Sequence, residues 1–493
     1  MLKKKLAVFL FIISLLPSLS AEKKPNIIVF LVDDMGIMDT SVPFLTNDEG
    51  EPVKFPLNKW YRTPNMEVLA SQGVRFNQFY AQSVCSPTRA SIMTGQNATR
   101  HHTTQWIKPT ENNRGENGPK GWNWKGLKKG QTTLPLLMQK NGYRTIFVGK
   151  GHFGPNDSEG AEPMNLGFDV NIAGSAIGRP HSYVGDYGQG TKHAVPGLKK
   201  YHNTGTFLTE AITLEANAEI KKSVAEKKPF FLYMSHYAVH GPFNTDKRFI
   251  DHYQGESKKS DRAKAFATLV EGMDKSLGDI MKTLEEQGVA ENTLILFLGD
   301  NGSDAPLGGN KAHASSAPLR GKKATCYEGG MRAPFIAAWA KPNGELEMQK
   351  ALPIPANSIN LQLATVMDVF PTVLDAAGIQ PPQDHIHDGH GLKEMLLGKH
   401  DPKHPGNFLM HFPHSHRSSY FTSYRKGDWK VIYHYFNKDH YELYNLKLDP
   451  YEKKNLAQSK PKQLKLLMDA MKNQLIEENA QYPEKNGQPV LPK

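Results

Sequence analysis

Cys85 and Arg89 stand four residues apart across a proline, in Val84-Cys85-Ser86-Pro87-Thr88-Arg89-Ala90-Ser91-Ile92-Met93-Thr94-Gly95. Proline suits the first helical position, where a missing N–H costs nothing, and glycine suits the residue that closes a helix. The spacing predicts a short helix opening at Pro87 and ending at Gly95, with Cys85 at its N-terminus. Such an end offers unpaired N–H groups and partial positive charge, which attract tetrahedral anions and lower a thiol pKa. Arg89, one turn on, points back to the same place. Alone, the pattern also fits a buried free cysteine in an ordinary helix.

What surrounds it decides. Residues 26–32 form a continuous apolar run of strand length, and similar runs recur at 145–148, 230–234, 294–298 and 335–339. Helical patterns alternate with them. Phe266, Leu269, Val270, Met273, Leu277, Ile280 and Leu284 recur every three or four residues, with Gly288 placed to cap them. This alternation predicts an α/β fold, a mostly parallel sheet flanked by helices, whose ligands bind beyond the carboxyl ends of the strands.

Polar residues gather at those ends: Asp33 and Asp34 after the first run, Lys150 and His152 after the second, His240 past the third, Asp300 and Asn301 after the fourth. Each alone is an ordinary turn residue. If the strands are neighbours, Asp33, Asp34, Asp300 and Asn301 offer only hard oxygen ligands, which suits Ca²⁺, or alternatively Mg²⁺, and argues against zinc.

The segment 319–332 puts Lys322 and Lys323 in a glycine-rich loop before Thr325-Cys326-Tyr327-Glu328-Gly329-Gly330. Residues 381–400, rich in Pro, His, Asp and Gly, mark a linker or domain edge. Beyond it, 420–424 and 429–435 flank Gly427-Asp428 as a hairpin, 441–446 adds a strand, and Leu464, Leu467, Met468, Met471 and Leu475 share one helical face. The expected organisation is a catalytic domain over 22–400 and a smaller α+β subdomain with an antiparallel sheet over 401–493.

Lys3, Lys4 and Lys5 precede an apolar run at 6–16 and the small residues Ser18, Ser20 and Ala21, so residues 1–21 read as a secretory signal peptide and the protein as exported, periplasmic or secreted, with no stable membrane anchor. Its three lysines leave with it, taking the formal charge from +11 to +8. No basic tract or nucleic-acid motif accompanies that balance, so no nucleic-acid partner is expected. Cys85 and Cys326 are the only cysteines, and in an exported chain one disulfide is the ordinary expectation. Asn97-Ala98-Thr99 is a glycosylation sequon.

Cys-x-Pro-x-Arg with its Thr-Gly tail, and the Gly-Lys and Thr-x-Tyr-Glu-Gly-Gly of 321–330, resemble the two signatures of the type I sulfatases of the alkaline phosphatase superfamily. The resemblance implies that a maturation enzyme oxidises Cys85 to formylglycine, which excludes the disulfide. It implies Ca²⁺ held by Asp33, Asp34, Asp300 and Asn301, with residue 85 facing the ion. Arg89, Lys150 and Lys323 would neutralise the sulfate, His240 and Lys323 protonate the leaving oxygen, and His152 accept a proton. Aligned on Glu328, the lysine falls on Lys323, and Lys322 stands where glycine is commoner. The substrate implied is a sulfated saccharide, with the nearest likeness to galactose or N-acetylgalactosamine 4-sulfatases of glycan-degrading bacteria. His101, His102, Trp106, Trp122, Trp124, Arg179, His181, His414 and His416 lie in loops placed to surround the sugar. The rival readings are a phosphonate monoester hydrolase or phosphodiesterase of the same superfamily, and a silent glycan-binding protein that keeps its thiol.

Overall fold

Asn26–Val32 (β1) is buried along its whole length, as a strand covered on both faces must be. The computed structural model describes residues 24–255, 258–308 and 313–493, and the expected signal peptide lies outside them. Strands Val74–Phe76 (β2), Arg144–Gly149 (β3), Val170–Ile172 (β4), Phe230–Ser235 (β5), Thr293–Gly299 (β6), Phe335–Trp339 (β7) and Ser358–Asn360 (β8) join β1 in one sheet of order β4-β3-β5-β1-β6-β7-β2-β8. Only β7 runs antiparallel to its neighbours. In the centre Ile27 pairs with Phe231 of β5 on one side and Leu294 of β6 on the other, both parallel.

The two-residue alternation of β1 divides the core. Ile28, Phe30 and Val32 face helices Leu208–Ala225 and Asp261–Glu286, the latter burying every apolar position read from its spacing. Ser260 starts that helix by accepting a hydrogen bond from the N–H of Ala263 at 3.2 Å. Ile27, Val29 and Leu31 face the other core, which includes Ala90, Ile92 and Met93 of helix Cys85–Thr94 (α1).

The C-terminal part is an antiparallel sheet of Asn407–Phe412 (β9), Phe421–Lys426 (β10), Trp429–His434 (β11) and Tyr441–Asn445 (β12), in that order. Its first strand was not legible in the sequence. One face, through Phe408, Met410 and Phe421, joins the core beneath α1, and the other is covered by helix Pro461–Glu477 through Leu467, Met468, Met471 and Leu475. The stretch 381–400 is packed against α1: Gly95, at φ 70°, closes the helix, and its carbonyl accepts N–H groups from Asp388 and Gly389, while His385 meets the Thr94 carbonyl. Asn97 of the sequon is buried, donating to the Leu409 carbonyl, so the folded chain does not present it for glycosylation. No helix among the described residues is long and apolar enough to cross a membrane.

Buried histidines take part in this packing, and His414 links the two parts. His101 contacts Ser91, His411 lies between Thr422 and the Gln481 carbonyl, and His414 between Thr104 and the Arg114 carbonyl. Burial pushes them down, His101 and His414 to about 3 and His411 to about 4. The unfolded chain therefore binds more protons, and stability is full above pH 6.5 and lost as pH falls from there towards 4. Each is expected to cost about 2 kcal/mol between pH 7 and 5. Urea midpoints at the two pH values check this, and His414→Gln should flatten the dependence.

Candidate active site

The sheet order explains why distant residues meet. β3, β5, β1 and β6 are consecutive and parallel, so the residues following their carboxyl ends share one edge. Asp33 and Asp34, Lys150 and His152, His240, and Asp300 and Asn301 all issue from it. α1 starts at Cys85 itself, two residues earlier than Pro87 suggested, and aims its N-terminus at the same edge. Ligand atoms of Asp33, Asp34, Cys85 and Asp300 all lie within 4.8 Å of one another.

Each carboxylate carries a buried basic partner. Arg89, wholly buried, donates to Asp300 at 2.8 and 3.0 Å, and its other nitrogen reaches the Lys150 carbonyl and Ser235. Lys150 Nζ lies 2.6 Å from Asp33, and Lys323 Nζ 2.5 Å from Asp34. Burial alone would raise Asp34, but Lys323, His240 and Lys150 hold it well below the usual carboxylate range. Burial and the neighbouring Asp33 push Asp300 up to about 6 against the pull of Arg89.

Three oxygens are left over: Asp33 Oδ1, Asp34 Oδ2 and Asn301 Oδ1 are buried without a hydrogen-bond donor. Buried acceptors normally find partners, and an all-oxygen set in this condition fits a hard divalent cation. Asp34, His152 and Ala324 take left-handed backbone conformations, φ 61°, 62° and 63°, uncommon for residues with a Cβ. Ala324 is fixed by its N–H to the Ser83 carbonyl, which ties the Lys323 loop to the approach of α1.

Two expectations change. The Cys85 thiol is not depressed by its helix terminus: burial pushes it up to about 12, Lys150 and Lys323 opposing and Asp33 and Asp300 adding to the rise. His240 is not held charged in the free protein. Burial lowers it to about 4 although Asp34 lies 3.5 Å away, because Lys323 and Lys150 also face it. Cys85 and Cys326 are both free and buried, with Cys326 beside Ser418.

The sequence left two lysines in competition, and the geometry separates them. Lys323 reaches Asp34 and the cavity above Cys85, whereas Lys322 points to Asp304 at 3.3 Å. Lys323→Ala is expected to lower kcat at least about 100-fold and Lys322→Ala by less than about fivefold. Steady-state rates of the two variants, with melting temperatures to confirm folding, decide it.

That cavity, of about 370 Å³, is lined by Cys85, His152, His240 and Lys323 at its floor. Of the loop residues singled out, Trp106, Arg179 and His416 reach it. His101 and His414 are buried in packing roles, His102 bonds the Asn479 carbonyl, and Trp122 and Trp124 spend their N–H groups on Asn112 and the Lys108 carbonyl. His181 is exposed outside the lining. Lys108, Lys192, His193, Asp304 and Arg417 line the cavity without having stood out, since no spacing ties them to the motifs.

A buried ring of carboxylates and cations, set against a helix N-terminus at the carboxyl edge of a mostly parallel sheet, is an α/β site whose residues could hold a metal ion and an anion side by side. Residues 25–379 match the family model described as Sulfatase, and residues 322–481 that described as N-sulphoglucosamine sulphohydrolase, C-terminal. The N-acetylgalactosamine-6-sulfatase of Rattus norvegicus is 31% identical over 417 residues, 79% of this chain and 70% of that protein. A protein named Sulfatase from Formosa agariphila is 26% identical, over 90% of this chain and 86% of its own. The crystal structure of Ps i-CgsB matches with TM-score 0.72 and 25% identity, over 92% of this chain and 93% of that one. That of the phosphonate monoester hydrolase of Agrobacterium radiobacter matches with 0.61 and 16%, over 92% and 96%, a likeness of fold alone. The chain belongs to the sulfatase family and is a sulfatase.

Proposed function

We propose that this sulfatase removes a sulfate ester from a galactose or N-acetylgalactosamine unit, releasing inorganic sulfate, after export and after oxidation of Cys85 to formylglycine by a maturation enzyme. The observation that carries the reading is the position of Cys85: first residue of a helix, at the floor of an open cavity, among three carboxylates and three buried cations. The sugar is supported by the resemblance to galactose and N-acetylgalactosamine 4-sulfatases and by relatives named for N-acetylgalactosamine 6-sulfate. Both name galacto-configured sugars.

Asp33, Asp34, Asp300 and Asn301 would hold Ca²⁺, which would draw charge from the sulfate oxygens. A formylglycine hydrate at position 85 would supply one hydroxyl as the nucleophile on sulfur and a second whose proton His152 would take, so that the bond from carbon to the sulfated oxygen breaks, sulfate leaves and the aldehyde re-forms. The remaining work falls to the chain's own groups. Lys323, held charged by Asp34 despite its burial, is a proton donor to the departing sugar oxygen. His240 donates through Nδ1 to the Gly241 carbonyl and keeps the lone pair of Nε2, which lies 3.5 Å from Asp34, so an arriving sulfate, by adding negative charge, raises its affinity for a proton. His152 donates through Nε2 to the Ile107 carbonyl at 2.6 Å, which leaves Nδ1 with its lone pair, buried and unpartnered. Burial and Lys150 keep the ring neutral, the state required of a base.

The test is free sulfate released from the 4- and 6-sulfates of N-acetylgalactosamine and galactose, with glucosamine sulfates and a phosphonate monoester as comparisons. Release from one galacto regioisomer supports the reading and fixes the position. Turnover confined to glucosamine sulfates or to the phosphonate refutes it.

A further inference from the structure

We propose that Arg179 and Lys192 form a second anion-reading subsite beside the scissile sulfate, for a carboxylate or further sulfate on the neighbouring sugar, an inference that rests on the sulfated-saccharide reading above. The cavity over Cys85 is larger than one sulfate group requires, and its cations differ in what they hold. Lys323 is bonded to Asp34, Arg417 grips both oxygens of Asp304 at 2.6 and 3.0 Å, and Lys108 is paired with Glu111. Arg179 and Lys192 remain. Among the described residues neither forms an ion pair with a carboxylate, and the one hydrogen bond of the Arg179 side chain is a long contact, 3.4 Å, to the adjoining Pro180 carbonyl.

The backbone brings these two cations together. His181 N–H donates to the His193 carbonyl at 3.0 Å, which lays residues 179–181 beside 191–193. The intervening loop is closed by Gly188 N–H to Asp186 at 3.0 Å, Thr191 N–H to the Gly188 carbonyl at 3.0 Å, and Val195 N–H to the Tyr187 carbonyl at 3.2 Å. His193, next in chain to Lys192, lines the same wall and buries Nδ1 without a partner. It is pushed below its ordinary range by burial first and then by Arg179 and Lys192, so both cations act on one spot. Lys192 also acts on Glu111, but that carboxylate is exposed and already paired with Lys108, so the two converging cations repel each other with little compensation, and an anion relieves that cost. The planar fork of Arg179 fits a carboxylate or sulfate face, and Lys192 adds a flexible point charge.

The experiment compares N-acetylgalactosamine 4- and 6-sulfates joined to a uronic acid, to a sulfated galactose or to plain galactose. Wild type, Arg179→Ala/Lys192→Ala and Arg179→Lys are assayed for sulfate release. Wild type is expected to favour an anionic neighbour by about tenfold or more in kcat/KM, mainly through KM, with the preference shrinking in salt. The double variant loses the preference and Arg179→Lys keeps part of it. Preference for the uronate alone assigns a carboxylate reader, and for the sulfated neighbour alone a sulfate reader. Equal rates in wild type, or a preference that survives the double substitution, overturns the proposal. Should wild type release sulfate from none of them, the substrate reading has failed instead. Calorimetric binding of the same disaccharides to wild type and the double variant then decides the subsite by the same comparison.

Discussion

Alanine at position 85 is expected to lower sulfate release at least about 10⁴-fold, to the level left by binding alone. On the proposed reading every other group around the site would stabilise charge or move protons; Arg89, Lys150 and Lys323 are each bonded to a carboxylate. The fold should not notice. Cys85 is the first residue of α1, and the change removes only the thiol, or the aldehyde oxygen that replaces it after oxidation, worth about 1 kcal/mol. Activity and thermal melting of Cys85→Ala therefore separate chemistry from stability. Serine at 85 keeps one hydroxyl and lacks the second, so it is expected to release sugar alcohol at most once per molecule and no free sulfate. Cys326→Ala, at a position that does not line the cavity and sits beside Ser418, should retain activity within about threefold. If Cys85→Ala turned over at the wild-type rate, the assignment of the nucleophile would fall, whatever the metal did.

How much of this was legible in the sequence depends on the range of the interaction involved. β1 and β7 were read at their observed limits, because a strand buried on both faces must be apolar throughout, and that pattern is local. Asp33, His152, His240 and Asp300 were legible as residues after strands, and the parallel order β3-β5-β1-β6 turns that sequence fact into one cluster. β9 was missed since Asn407-Phe408-Leu409-Met410-His411-Phe412 is short and follows a stretch that reads as a linker; its pairing with β10 is what makes it a strand. The thiol was expected to be acidic because a helix terminus is visible in sequence, whereas complete burial among carboxylates is not. The cavity walls were the least legible. Lys192 and Arg417 reach the site from residues with no periodic relation to either motif, brought in by loop closures such as His181 to His193 and Ser418 to Ala324. Aromatic and histidine content alone therefore misassigned His101, His414 and Trp122, which are packing and hydrogen-bonding residues here.

Removing divalent cations is expected to cost several kcal/mol of transition-state stabilisation, about 10³-fold in kcat/KM. Around position 85, Asp33, Asp34 and Asp300 bring three negative charges and Arg89, Lys150 and Lys323 three positive, so this ring is neutral on its own. A neutral ring has little reason to prefer an anionic ester. A dication on the unpartnered oxygens of Asp33, Asp34 and Asn301 would make it doubly positive in a place where water cannot screen the field. Dialysis against a chelator followed by titration with Ca²⁺ and Mg²⁺ measures the effect, with calcium expected to restore activity at lower concentration. Binding to the folded state alone should also raise the melting temperature with Ca²⁺, by about 2.7 kcal/mol of stability at a hundred times Kd. Asn301→Ala is the informative variant. Asp300 also anchors Arg89, so its loss would strand a buried guanidinium and confuse metal binding with folding. Asn301 carries no charge, and its Nδ2 gives one bond to Asp34 and one to the Gly302 carbonyl while Oδ1 faces no donor. Its alanine variant should need roughly tenfold more Ca²⁺ for half activity, yet reach a comparable melting temperature when calcium saturates. Activity that survived complete chelation in wild type would leave those three buried oxygens without a cation to explain them.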